Sequence, residues 1–394
     1  MPAGLKTLPH AGTATLRSVL TVAADVTPLL TPRTGVGVFV GELLPHLASR
    51  HDLRITGYAV TWRGRHRLAD AVPDGVAIAG KPMPARPLHQ IWMRGDFPPV
   101  DRWIGRHQVV WGTNYVVPPT RATPVVSIYD LTPLRFPELA DRHTRTFPRL
   151  IERAVRRGAW VHTLSNFVRH EIIEHFRVEP ERVWVVPGGV RTAPAQHQTR
   201  PPVLSPIGAA PYILSLGTVE PRKGLPTLVA AFDAIAPDLP QLHLVIAGAD
   251  GWGADALRVA IQRSPHRDRI LRLGWIDEAA RPALLRHAAA FAYPSLYEGF
   301  GFPPLEAMTA GVPVVATRTG SLPEVCEDSA ALVPVGDTDA LAEAIGQILT
   351  DDAHRTDLVR RGHATAARYS WHAAAESFVA KLQEAAVRPA ARTA

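Results

Sequence analysis

The chain is 394 residues long, more than one ordinary hydrophobic core needs and enough for two domains of typical size. Hydrophobic residues make up 46% and charged residues 20%, which excludes a disordered chain, and the lone Cys326 excludes intrachain disulfides and thiolate-rich metal sites. The formal net charge of +7 divides into +11 for residues 1–200 and −4 for 201–394, so the first half either faces an anionic partner (phosphate, a membrane surface or nucleic acid) or is simply arginine-rich surface.

In chain order, the strand candidates of the first half are Val19–Ala24, Leu53–Ala59, Gln108–Trp111, Pro124–Ile128, Trp160–Leu164 and Val183–Val186. Those of the second half are Tyr212–Leu216, His243–Ala247, Ile270–Leu273, Ala290–Tyr293, Val312–Ala316 and Ala331–Val333. Many are continuous β-branched runs, as a parallel strand covered on both faces requires. Helical stretches such as Gly224–Ala236, Ala279–Ala288 and Thr338–Leu349 lie between them, and a last helix is expected over Trp371–Ala386. Such alternation predicts an α/β, doubly wound fold. The proline-rich stretch Pro187–Pro211 cannot continue a helix or a central strand and reads as a linker. The expected divisions are 1–190, a linker at 191–210, a second domain at 211–370, and a helix with a frayed tail at 371–394. No apolar run approaches the roughly 18–20 residues of a membrane span. Val19–Ala24 runs straight into Asp25 and reads as a buried strand rather than a signal peptide, so a cytoplasmic protein is expected.

The most informative string is Tyr297-Glu298-Gly299-Phe300-Gly301-Phe302-Pro303-Pro304-Leu305-Glu306-Ala307. A strand candidate leads into it, the two prolines suit a first helical turn, and Gly311 ends the helix. The glycines therefore fall in a strand-to-helix loop, where free amides and the helix dipole favour an anion such as a diphosphate. Glu298 precedes the loop and Glu306 is expected in the first helical turn; both are acceptors suited to sugar hydroxyls.

These residues resemble the signature of the family 4 retaining glycosyltransferases of GT-B architecture: a Glu, a glycine-rich loop and a second Glu after seven intervening residues. The resemblance implies two Rossmann-like domains facing each other across a cleft, with the C-terminal helix returning to the first. It implies that Glu298 contacts the transferred sugar and Glu306 the ribose, with Gly299, Phe300, Gly301 and Leu305 in the donor site. Gly217-Thr218-Val219-Glu220-Pro221-Arg222-Lys223-Gly224 is similar to the family's diphosphate clamp, and Gly248 and Ile276 match the next two strand ends, Ile276 lying beside the nucleobase. Cations aimed at a departing diphosphate would lower the barrier to transfer, which is the role implied for Arg222 and Lys223. Where some members carry an Arg after the glycine, this chain has Thr218. In the first half, Gly35 and Gly37 of Thr34-Gly35-Val36-Gly37 are implied to close over the phosphates, a tight turn being the alternative.

Strand Val125–Ile128 ends in Tyr129-Asp130, where the family carries His-Asp. Tyrosine is a poor base near neutral pH, so Tyr129 is expected to donate a hydrogen bond while the diphosphate assists deprotonation. Asp130 is expected to orient the site or bind the acceptor, or else to cap the next turn. Ser165 is expected to cap a helix. The histidines show no metal-ligand spacing, so no metal and no cofactor beyond the nucleotide-sugar co-substrate is expected. His143–Arg157 is basic, interrupted by Pro148, and reads as a solvated helix or as a peripheral contact with an anionic membrane or lipid-linked acceptor. The donors in view are GDP-mannose, UDP-sugars and dTDP-rhamnose, with a glycan, lipid-linked or small-molecule acceptor and no nucleic acid. Two other activities stay open: a nucleotide-sugar epimerase of the same fold and a non-catalytic nucleotide-sugar binder.

Overall fold

The computed structural model describes residues 19–30, 35–140, 144–191, 199–277 and 279–388. Thr34, His143, the middle of the proline-rich stretch and the end of the tail lie outside the described residues. There are two all-parallel sheets. The first has seven strands: β1 (Leu20–Asp25), β2 (Leu53–Tyr58), β3 (Ala77–Ala79), β4 (Val109–Gly112), β5 (Thr123–Ser127), β6 (Trp160–Thr163) and β7 (Val183–Val185), in the order β3-β2-β1-β4-β5-β6-β7. The second has six: β8 (Tyr212–Leu216), β9 (His243–Ala247), β10 (Ile270–Gly274), β11 (Ala290–Tyr293), β12 (Val314–Thr317) and β13 (Ala331–Val333), in the order β10-β9-β8-β11-β12-β13. In each, the order reverses direction beside the first strand of the sheet, the point at which doubly wound folds bind ligands.

Burial explains the composition of the strands. Every residue of β4, β6, β8, β11 and β12 is buried, because helices cover both faces. The edge strand β3 is the exception: it is three residues long, mostly exposed, and absent from the expected strands. Pro148 does not interrupt its helix but sits in the first turn of Phe147–Arg156, where no amide partner is needed. The last turn of that helix is tied down by Arg153, which with Arg157 just beyond it pairs with Asp96. No described helix is long and apolar enough to cross a membrane.

The chain crosses between the sheets twice, and the crossings run side by side. Val190 N–H donates to Tyr369 O at 3.0 Å. Gly189 allows this approach: a Cβ there would lie 2.2 Å from the Trp371 backbone nitrogen. The final helix, Trp371–Val387, then packs on the first helix, Gly35–Ala48. Its Phe378 ring lies 4.6 Å from Trp111 of β4, and Trp371 lies 5.7 Å from Phe39. Gly189→Ala should therefore cost roughly 1–3 kcal/mol through overpacking, read as a lower urea midpoint.

Under the final helix lies a polar chain inside the first core. Trp111 Nε1 donates to Ser127 Oγ at 2.9 Å, Ser127 Oγ meets His162 Nδ1 at 2.8 Å, and His162 Nε2 meets Val186 O at 3.0 Å. The chain is satisfied only by a neutral imidazole donating through Nε2. Burial lowers the His162 pKa from 6.5 to about 4. The unfolded chain thus binds a proton that the native chain refuses, so stability is full above pH 6.5 and falls as pH drops toward 4. The loss should approach about 3 kcal/mol, visible in urea midpoints at pH 7.5 and 5 and absent in His162→Gln.

Candidate active site

The second sheet builds the site from the carboxyl ends of β8, β9, β10 and β11. After β8, Gly217 N–H donates to Ala247 O at 3.0 Å; after β9, Gly248 N–H donates to Gly274 O at 2.7 Å. A Cβ on Gly248 would lie 1.9 Å from Gly217 O, so only glycine lets these strand ends meet. The β8 loop turns through Pro221–Lys223, and Arg222 O accepts from Leu296 N–H at 2.7 Å. That bond clips the basic loop to the loop following β11.

The side chains then converge. Lys223 Nζ lies 2.6 Å from both Glu298 Oε1 and Tyr293 OH, and Ser295 Oγ donates to Glu298 Oε1 at 2.8 Å. Arg222 Nη1 reaches Glu298 Oε2 at 3.0 Å, and its Nε reaches Glu220 Oε2 at 2.8 Å. Lys223 and Glu298 are only 8% and 6% exposed, so water cannot balance their charges. Burial alone would raise the Glu298 pKa, but Arg222 and Lys223 outweigh it and hold the carboxyl at about 2. Burial, reinforced by Arg222, pulls the Lys223 pKa below the usual ammonium range. Burial also opposes the charge on Arg222, yet Glu298, Glu220 and Asp130 raise its pKa further.

Asp130 comes from the other sheet, and the two domains meet here. A Cβ on Gly299 would lie 1.8 Å from Tyr129 O, while Ser165 Oγ donates to Gly299 O at 2.7 Å. Leu131 N–H donates to Tyr297 OH at 3.1 Å, and Tyr297 OH donates to Glu171. Glu324 accepts from Asn166 N–H at 2.8 Å and Phe167 N–H at 3.0 Å, satisfying the start of the Asn166–Phe176 helix across the interface. Ser165 also caps that helix, accepting from Val168 N–H at 3.3 Å. The amides of Gly299, Phe300 and Gly301 have no protein acceptor among the described residues, which leaves them available to an anion.

Several residues stand differently from their sequence-based roles. Tyr129 turns away: its buried hydroxyl donates to Thr113 O at 2.7 Å, and burial raises its pKa further, so it supplies neither a base nor a hydrogen bond to a sugar. Asp130 Oδ1 accepts from Thr132 N–H at 2.9 Å, the turn-capping alternative, while its charge still acts on Arg222. Phe300 and Leu305 are buried, Phe300 against Phe302 and Tyr369, so only their backbones can meet a ligand. Glu306 is the fifth residue of the Phe302–Thr309 helix rather than in its first turn, and pairs with Arg281 Nε at 2.7 Å instead of joining the Glu298 cluster. Gly35 and Gly37 both lie in the first turn of the Gly35–Ala48 helix; a Cβ on Gly35 would meet no atom within 4 Å. Ile276 is half-buried just past β10. Glu220, Tyr293, Ser295 and Arg281 were missed. The first three lie beside assigned motif residues, but nothing in sequence marks Arg281. Among the described residues no group of three His, Cys, Asp or Glu side chains could hold a metal.

Residues 201–365 match the family model described as Glycosyl transferases group 1, and residues 33–194 match Glycosyltransferase Family 4. The chain is 31% identical to the O-antigen chain mannosyltransferase B of Escherichia coli over 72% of its own length and 74% of that protein. It is 29% identical to the serotype-specific mannosyltransferase WbdA of Escherichia coli over 65% of its length, spanning 33% of that longer protein. The fold is similar to sucrose-phosphate synthase from Thermosynechococcus elongatus, with a TM-score of 0.71 at 21% identity over 93% of this chain and 98% of that one. It is also similar to Anabaena HepE solved with UDP-glucose, with a TM-score of 0.70 at 17% identity over 93% and 100% of the two chains.

Removing the Glu298 charge should leave buried Lys223 without a carboxylate and Arg222 with Glu220 alone. Glu298→Gln is expected to lose roughly 3–5 kcal/mol of stability, and inorganic pyrophosphate to restore more of the melting temperature in the variant than in the parent. A variant as stable as the parent, with no extra response to pyrophosphate, would contradict this account of the cluster.

Proposed function

This chain belongs to the family 4, group 1 glycosyltransferases of GT-B fold, and on that premise we propose that it moves a mannosyl group from GDP-mannose to a hydroxyl of a mannose-containing glycan, with retention at the anomeric carbon. The observation that carries the reading is the Arg222–Lys223–Glu298 cluster at the β8 and β11 ends, beside a glycine-rich loop whose amides have no protein acceptor among the described residues. The names of the mannosyltransferase relatives support the sugar.

On this reading the donor diphosphate displaces Glu298 as the main counter-charge of Arg222 and Lys223. Glu298 is then free to accept from hydroxyls of the mannosyl ring. As the bond between the anomeric carbon and the phosphate oxygen breaks, its electron pair passes to the diphosphate, and the two cations and the loop amides stabilise the growing charge. The acceptor oxygen bonds to the anomeric carbon on the face the diphosphate is leaving, and its proton passes to a diphosphate oxygen. No side-chain base is required, which accommodates a tyrosine whose hydroxyl is already committed to Thr113. The contacts of Tyr297, Ser165 and Glu324 across the interface keep water from competing.

A thermal-shift comparison of GDP-mannose, UDP-glucose and dTDP-rhamnose is expected to single out GDP-mannose. GDP release with mannoside acceptors should then fall about 10²–10³-fold in Lys223→Ala. Stabilisation by none of the three, or unchanged turnover in the variant, would remove the assignment.

A further inference from the structure

The rim of the first sheet facing the cluster is formed by the carboxyl ends of β1, β4 and β5, which lie side by side. The β5 end carries Tyr129, whose carbonyl touches Gly299 next to Glu298. The β1 end carries Asp25, two strand spacings away, or roughly 10 Å. Asp25 Oδ1 is engaged locally, accepting from Thr27 N–H at 2.9 Å and Thr27 Oγ at 2.5 Å. Its other oxygen accepts from no described residue, and no described Lys or Arg pairs with it. Around it the protein is apolar or already committed. Thr113 Oγ1 donates to the Asp25 backbone carbonyl at 2.7 Å, not to the carboxylate. Tyr58, in register with it on β2, has a buried hydroxyl without a partner among the described residues. The Thr27 bonds would be made equally well by an asparagine, so the turn does not explain a carboxylate here.

We propose that Asp25 binds the acceptor: its free carboxylate oxygen accepts a hydrogen bond from a hydroxyl of the acceptor sugar and holds that sugar across the rim between the β1 end and Glu298. The inference rests on the glycosyltransferase reading and adds a first-domain residue to it. A sugar hydroxyl supplies the donor that the surrounding protein does not. Burial raises the Asp25 carboxyl to about 6 against the lowering effect of the Thr27 bonds. The titratable side chains facing it, Tyr58 and Tyr129, are buried phenols whose own pKa values lie above the ordinary 10, so both stay neutral. Below about pH 6 the carboxylate therefore becomes a protonated acid and loses its acceptor character.

The test measures GDP release from GDP-mannose with methyl α-mannoside as acceptor, from pH 5 to 8. In the parent the mannoside should accelerate release, less so below pH 6. Asp25→Asn should raise the mannoside KM at least tenfold and flatten that pH dependence, while GDP still raises its melting temperature. Thr27→Val, which weakens the turn but keeps the carboxylate, should leave the mannoside KM within twofold of the parent. An unchanged KM in Asp25→Asn, or an equal rise in Thr27→Val, overturns the role of Asp25. A parent that turns over GDP-mannose without responding to the mannoside overturns the acceptor class. Absence of both GDP binding and GDP-mannose turnover tells instead against the donor reading.

Discussion

Two cations and the carboxylate they share, at the ends of two neighbouring strands, set the terms for the rest of this molecule. Arg222 and Lys223 carry two positive charges, which Glu298 and Glu220 balance, with Glu298 touching both cations. Glu220 steadies Arg222 from behind, and Tyr293 and Ser295 complete the hydrogen bonding around Lys223 and Glu298. Lys223 and Glu298 are buried, so solvent cannot stand in for either when the other is removed. Such a cluster is internally balanced, and on the proposed reading a diphosphate takes over from Glu298 as the partner of both cations. Its precision comes from backbone: the Arg222 carbonyl is bonded to Leu296, so the basic loop and the Glu298 loop move as one piece.

The first domain reaches this cluster through main-chain atoms and small side chains rather than long charged ones. Gly299 sits on the Tyr129 carbonyl and Ser165 binds the Gly299 carbonyl. Glu324 adds to the Ser165 cap on a helix of the opposite domain. Contacts of this kind depend on exact registration of two separately folded sheets. The first domain therefore contributes mainly position, with Asp130 adding a negative charge that acts on Arg222.

The parallel strands were legible because they are largely covered and therefore mostly apolar, and β8, β9, β11 and β13 begin and end where the sequence places them. The β3 edge was not, since two alanines and one isoleucine leave no periodicity to detect. In the site, the family resemblance implied that Arg222, Lys223 and Glu298 share one site, and the neighbouring ends of β8 and β11 bring them together. What sequence could not convey was direction. The Tyr129 position was recognised, but its hydroxyl points back at Thr113. Glu306 was recognised, but its partner Arg281 comes from a helix with no motif. Asp25 looked like the residue that ended a strand, because desolvation of a carboxylate is a property of three-dimensional surroundings and leaves no mark on spacing.

The paired crossings near Gly189 and Trp371 define the axis about which the two halves can turn. Tyr369, which receives the Val190 amide, also lies edge-on to Phe300, 5.6 Å away. The tip of the glycine-rich loop is thus mounted directly on the pivot. Any swing that widens the crevice must lever this loop, as a door lever geared to its own latch, so emptying the crevice and unseating the loop become a single mechanical event.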